Sequence, residues 1–209
     1  VGLIPITIAS SDLEYLEAQL ALLNLKIIDR NNLSKTVTVV ASKTIIKEQL
    51  LSNRNIVHLA YAVPKPIEEA LVDDLDLTVN RINTVQYNWP NLKGTDQLVS
   101  VKEEQFDSAD IDLRFRTVLF GLENENISSH ATQMATIIGG LGNSYRTGKG
   151  IAPSVRFTSS DFNNILPDDN SILTTNGITI QNHSYGSPLD NRYSAEARAY
   201  DLSANENPS

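Results

Sequence analysis

Residues 129–140, Ser-His-Ala-Thr-Gln-Met-Ala-Thr-Ile-Ile-Gly-Gly, restrict the possible folds of this 209-residue chain more than any other stretch. The pattern predicts an apolar helix lined by Ala131, Thr132, Ala135 and Thr136 and ending on Gly139-Gly140. Small residues let another backbone pack directly against a helix, and glycine suits a helix C-terminus. Such a helix belongs in an interior. His130 stands in its first turn. A histidine fixed there by packing is well placed for proton transfer, and a histidine that merely begins a core helix fits the same residues. The local sequence leaves both readings open.

The remaining composition narrows the class. Hydrophobic residues make up 41% and charged residues 20%, which supports a folded globular chain. The net charge of −8, with no basic run, argues against a nucleic-acid partner. No apolar run is long enough to span a bilayer, and Val-Gly-Leu-Ile-Pro-Ile-Thr-Ile at the start is no signal peptide. There is no cysteine, so thiol catalysis, disulfides and thiolate metal sites are excluded.

Residues 2–9 predict a strand. Ser11-Asp12 then caps a helix carrying Leu13, Leu16, Leu20 and Leu23. Leu25 to Ile28 is a short strand, Asp29-Arg30-Asn31-Asn32 a turn, and Thr36 to Ala41 a strong strand. Ser42 caps a second helix with Ile45, Ile46, Leu50 and Leu51, and Ile56 to Ala62 is a last strand. The order β-α-β-β-α-β over 1–62 is a ferredoxin-like α+β pattern.

Pro64-Lys65-Pro66 stiffens the chain and marks a boundary, so 63–76 reads as an extended linker. Its acids (Glu68, Glu69, Asp73, Asp74, Asp76) read as a solvated surface. From 77 to 209 strands alternate with helices. Gln97 to Lys102, Val118 to Leu122, Val155 to Ser159 and Gly177 to Gln181 predict strands, and 192–203 predicts a helix. That alternation implies α/β architecture with a parallel sheet. Ligand sites in such sheets lie at the carboxyl ends of the strands, where Glu103 and Asn182–Gly186 fall.

Four collinear stretches together resemble one family, the subtilisin-like serine peptidases. Val99 to Asp107 and on to Leu113 resembles that family's first-acid region, with Glu103 in the register of its aspartate. His130 to Gly140 resembles the His-Gly-Thr-His-Val-Ala-Gly helix, with His130 on the catalytic histidine. Gly148-Lys149-Gly150-Ile151-Ala152-Pro153 resembles the Gly-Val-Ala-Pro segment. Ile180 to Gly186 resembles the strand whose Ser-Leu-Gly end borders the substrate cleft, here Ser184-Tyr185-Gly186.

The resemblance implies that 77–209 is the N-terminal part of a subtilisin-like catalytic domain, a parallel sheet with helices on both faces. It implies that 1–62 is a propeptide-like inhibitor domain and that the segment from Val63 to about Val72 is a tail lying in the cleft. It further implies peptide-bond hydrolysis by a Glu-His-Ser type triad. His130 would be the general base, Glu103 its orienting acid, and Ser184, Tyr185 and Gly186 the substrate-binding edge. The expected partners are a peptide or protein substrate and the remaining catalytic segment. The expected location is extracellular, cell-surface or periplasmic.

The sequence also departs from the family pattern. The Asp-Thr-Gly turn is Glu103-Glu104-Gln105, and the histidine motif carries Ala131 and Gln133. No Gly-Thr-Ser nucleophile turn follows His130, and Ser184 and Ser187 belong to the substrate-edge segment. The nucleophile and the oxyanion asparagine are therefore expected outside this chain, which alone should be inactive. The alternative is a catalytically inactive subtilase-like subunit with a structural or peptide-binding role in a surface assembly. No cofactor or metal is implied. Asp107, Asp110 and Asp112 could supply oxygen ligands to a structural calcium ion, but they form no recognisable loop motif. His183 fits a packed strand end or a substrate pocket, and His58 fits a structural role. A dinucleotide site is excluded, because Gly139-Gly140-Leu141-Gly142 follows a helix rather than a strand.

Overall fold

A computed structural model describes residues 2–32, 34–62, 66–69, 76–187 and 193–206. The element order is β1 (Leu3–Ser10), α1 (Leu13–Leu22), β2 (Ile27–Asn31), β3 (Thr36–Ser42), α2 (Lys43–Ile45), β4 (Ile56–Tyr61), β5 (Ile67–Glu68), α3 (Ile82–Asn88) and β6 (Leu98–Glu103). Then follow α4 (Ser129–Gly139), β7 (Arg156–Asp161), α5 (Asn170–Asn176), β8 (Ile180–Asn182), β9 (Tyr185–Gly186) and α6 (Ala195–Glu206). Contacts divide the chain into two compact units: Val1–Lys65 with Asn164–Ile172 and Ser187–Ser209, and Pro66–Asn163 with Leu173–Gly186.

The first unit holds a four-stranded antiparallel sheet in the order β2-β3-β1-β4. Alternation along β1 and β3 puts Ile6, Ile8, Val37 and Val39 on one face, against Leu16 and Leu20 of α1 and Leu50. The opposite face is polar, with the Thr7 and Thr38 hydroxyls 3.1 Å apart. Asp12 caps α1 by accepting from the Tyr15 amide, and Ser42 caps α2 by accepting from the Ile45 amide. Two local expectations change. The second helix continues as a π turn over Ile46–Leu50. The turn expected at Asp29–Asn32 begins later, because Asp29, Arg30 and Asn31 pair with Thr38, Val37 and Thr36. Reversal follows at Asn31, whose side chain accepts from the Ser34 amide, and at Lys35, which has a φ of 53°. Helix α6 joins this unit, its Arg198 donating to the Ser34 carbonyl.

The second unit is built on a parallel sheet in the order β7-β6-β8. Strand β6 is central and buried along its whole length. Val99 and Val101 pack with Phe157, Phe106, Leu113, Ala131 and Ala135. Ser100, Lys102 and Glu103 of the same strand are polar, and Lys102 reaches Ser160 Oγ at 3.4 Å and the Asp161 carbonyl at 3.1 Å. The strand expected over Val118–Leu122 reduces to one rung, Thr117 opposite Phe157. Gly121, with a φ of 76°, ends the extended run. Among the described residues, no helix is long and apolar enough to cross a membrane.

Candidate active site

Helix α4 begins where Ser128, in extended conformation, accepts from the His130 and Ala131 amides at 3.0 and 3.3 Å. This side-chain cap satisfies two of the donors that every helix N-terminus leaves open. The small residues serve the close packing that the sequence suggests. At Gly139 an added Cβ would meet Val155 Cγ2 at 2.7 Å and the Ala152 carbonyl at 2.8 Å. Gly140 has a φ of −55°, so it ends the helix through lack of space for a side chain and not through a left-handed turn. The Ala152 and Ile151 amides and Arg116 take the carbonyls of Ile138, Ile137 and Gly139.

The end of β6 is tied to the start of this helix. Gln105 N–H donates to the Asn126 carbonyl, and Ser128 N–H donates to the Gln105 carbonyl, both at 2.9 Å. That rung brings Glu103 and His130 together from 27 residues apart, with His130 Nδ1 and Glu103 Oε2 separated by 2.7 Å. Both side chains are buried, at 4% and 0% exposure. With Nδ1–H donating to the carboxylate, the lone pair of the imidazole lies on Nε2, and Nε2 has no hydrogen-bond partner among the described residues. Burial pushes the Glu103 carboxyl up to about 7. The His130 hydrogen bond opposes the rise, and the charge of Glu68 adds to it. The Ser184 backbone N–H stabilises the ionised form. None of Glu103, Glu104 and Gln105 has a positive φ, so the turn is built without the conformation a glycine would allow.

The three proposed edge residues follow β8. Ser184 accepts from Asn182 Nδ2 at 3.0 Å. The Tyr185 ring stands edge-on to Phe162 at 5.4 Å, and His183 Nδ1 lies 2.8 Å from the Tyr185 hydroxyl. Tyr185 and Gly186 form β9, which pairs antiparallel with β5: Ile67 lies opposite Gly186, and Glu68 opposite Tyr185. A peptide segment of this chain thus adds a strand to the edge beside Glu103 and His130. The expected tail falls partly outside the described residues, at 63–65 and 70–75, which include Asp73 and Asp74.

Glu68 is the residue that sequence reasoning placed wrongly. It is half-buried rather than solvated, and one ligand atom from each of Glu68, Glu103 and His130 lies within 4.8 Å of the others. The signal was weak, since a two-residue strand among acids has no periodicity. Its neighbour Glu69 and also Asp76 are exposed, as expected. The other acids do not join the site. Asp107 accepts from the Ala109 amide, Asp110 from the Asp112 amide, and Asp112 from the Asn143 amide. His58 lies on β4 in the first unit.

No protein-family model matches the sequence, and no curated protein matches it either. Solved structures do match. Fervidolysin from Fervidobacterium pennivorans, a keratinolytic enzyme related to subtilisin, aligns with a TM-score of 0.60 at 15% identity, over 98% of this chain and 38% of its own. The epidermin leader peptide processing serine protease from Staphylococcus aureus aligns with a TM-score of 0.64 at 12% identity, over 97% of this chain and 56% of its own. A point mutant of that protease gives 0.69 at 13% identity. The fold is subtilase-like. At these identities the likeness concerns the backbone alone, and the chain spans between about two-fifths and just over half of the solved chains it matches. Within this subtilase-like fold the buried acid–histidine pair sits at the carboxyl end of the central parallel strand, where open α/β sheets place their ligand sites.

Proposed function

We propose that this chain is part of a subtilisin-like serine endopeptidase, in which Glu103 orients His130 and His130 acts as general base. The observation that carries this reading is the buried 2.7 Å contact between His130 Nδ1 and Glu103 Oε2, with Nε2 left without a hydrogen-bond partner among the described residues. In the reaction Nε2 takes the proton of a serine hydroxyl as it attacks the scissile carbonyl, then returns it to the leaving amine. Glu103 holds the tautomer and stabilises the imidazolium that forms. The serine and the oxyanion donor come from sequence outside these 209 residues.

On this reading Ser184, Tyr185 and Gly186 bind substrate backbone as an antiparallel strand, a reading supported by the antiparallel pairing of β5 with β9. Residues 1–62 act as a propeptide-like domain, Ile67–Glu68 as part of its tail, and the enzyme works outside the cell.

The test uses the full-length protein and a serine-directed phosphonate. Labelling and peptide turnover are expected, and His130→Ala should lower turnover by about four powers of ten or more. Labelling that persists with unchanged turnover in His130→Ala overturns the assigned base. A folded full-length protein that neither labels nor turns over peptide would favour the inactive, peptide-binding subunit instead.

A further inference from the structure

Alternation along residues 66–69 turns Pro66 and Glu68 inward and leaves Ile67 and Glu69 exposed. Glu68 is thereby brought to the acid–histidine pair, with one ligand atom from each of Glu68, Glu103 and His130 within 4.8 Å of the others. Two carboxyl oxygens of this cluster, Glu68 Oε1 and Glu103 Oε1, are buried without a hydrogen-bond partner. Two carboxylates this close in a buried site repel each other with little screening by water. A proton held in the cluster removes the conflict, because a neutral carboxyl has the O–H donor that a carboxylate lacks.

The charged and titratable groups on the surrounding elements are engaged elsewhere. Lys102, beside Glu103 on β6, donates to Ser160 and to the Asp161 carbonyl. Asp161 stands opposite Glu103 on β7, and its carboxylate accepts from Asn124 and Asn163. His183 Nδ1 lies against the hydroxyl of Tyr185, the residue opposite Glu68 on β9. Helix α4 contributes His130, with Nδ1 on Glu103 Oε2. Among the described residues, neither Glu68 nor Glu103 is ion-paired to a lysine or arginine.

We propose that β5 is a proton-gated strap over the acid–histidine pair: it stays on β9 while the Glu68–Glu103–His130 cluster holds a shared proton, and it leaves when that proton is lost to solvent.

Strand β5 has only two residues, so few backbone hydrogen bonds oppose its release. The sign follows from linkage. Burial pushes the Glu103 carboxyl up to about 7, and the charge of Glu68 adds to the rise. Docking of β5 therefore takes up a proton, is favoured at acid pH, and weakens as pH rises through about 7. Because the groups interact, the proton belongs to the cluster and not to one side chain. The strap does not rest on the protease reading, but its consequence does. On that reading the chain blocks its own cleft in acid and uncovers His130 at neutral pH, where an ionised Glu103 can orient it.

The experiment is hydrogen exchange of the 209-residue chain at about pH 5 and about pH 8, expressed as protection relative to an unstructured peptide. Protection of the amides at 67–68 and 185–186 should fall at least about tenfold between the two. Glu68→Gln keeps the side-chain shape, cannot ionise, and carries a donor at every pH. In that variant the β5–β9 amides should keep the same protection at both pH values, while β6 retains the pH response that its own buried Glu103 imposes. Glu69→Gln, at the exposed neighbour, should leave the wild-type profile unchanged. Equal protection of β5–β9 in the wild type at both pH values overturns the strap, as does an undiminished pH dependence in Glu68→Gln. Carboxyl-carbon NMR of the wild type gives a second reading that needs no variant. Glu68 and Glu103 should titrate as a coupled pair in two steps, and independent single-step curves overturn the shared proton. No substrate is involved, so a failed strap leaves the protease reading standing, and failed phosphonate labelling leaves the strap standing.

Discussion

The two sheets solve the same packing problem with opposite chemistry. In the antiparallel sheet the packed face is aliphatic, Ile6, Ile8, Val37 and Val39 closing over Leu16, Leu20 and Leu50, and the buried polar residues of its strands, Thr7, Ser10, Asn31 and Thr36, carry no ionisable group. In the parallel sheet the central strand is equally buried, yet Ser100, Lys102 and Glu103 share it with Val99 and Val101. His130, Thr158, Ser159 and Ser160 are buried around them. An aliphatic core tolerates modest repacking, because apolar contacts are not directional. A core that holds polar groups depends on each partner standing in place, because an unsatisfied buried group costs stability. The first sheet is therefore suited to holding shape. The second spends stability on keeping an acid, a histidine and a peptide strand together.

Backbone contact is the sharpest way to break this comparison. In the second unit the C-terminus of α4 touches the 150–152 loop with no room for a side chain. A Cβ on Gly150 would meet the Gly139 and Gly140 amide nitrogens at 2.5 and 2.6 Å and the Thr136 carbonyl at 2.6 Å. Gly150→Ala should cost about 4 kcal/mol. Hydrogen exchange should show the loss in the amides of β6 and α4. If those amides keep full protection, the tight packing assigned to this helix is wrong.

The polar core should also respond to pH where the aliphatic one does not. The Glu103 carboxyl, raised from 4.5 to about 7, keeps its proton in the folded chain after the unfolded chain has released it. Stability then falls as pH rises from about 4.5 to about 7, by about 3 kcal/mol in total, and levels off above that range. Exchange protection of β6 should decline across this window and that of β1 should not. Glu103→Gln should flatten the profile, and an unchanged slope in that variant would assign the titration to another group.

The smallest test compares two helix caps. Ser128 is buried and accepts from two amides, while Asp12 is exposed and accepts from one. Ser128→Ala should cost about 1.5 kcal/mol and Asp12→Ala about 0.5 kcal/mol, measured by thermal unfolding. Ser128→Ala should also shift the ring resonances of His130, whose amide it anchors. Equal costs would remove the distinction between the two units at their helix starts.

Much of this architecture is legible from residue order. The β-α-β-β-α-β run is written in alternation and in the caps Asp12 and Ser42, all of them local features. The His130 helix is equally clear, because its small face and terminal glycines lie within a dozen residues. The expected strand at Val118–Leu122 misleads, since an apolar run reads the same whether or not Gly121 breaks its pairing. Helix α3 over Ile82–Asn88 has no buried face, so no periodic pattern marks it.

The sequence alone determined the elements of the first sheet, the caps Asp12 and Ser42 and the candidates Glu103 and His130, because each is encoded by neighbours within a few residues or by a collinear resemblance. Only the tertiary structure decided that their side chains meet at 2.7 Å, through a rung at Gln105 that no local pattern announces. It alone decided that Glu68 leaves the solvated acids and joins them. The physical reason is the same in both cases. Burial and proximity between residues far apart in sequence are set by strand pairing, and one register brings Glu68 opposite Tyr185 where a shift by one residue would turn it away.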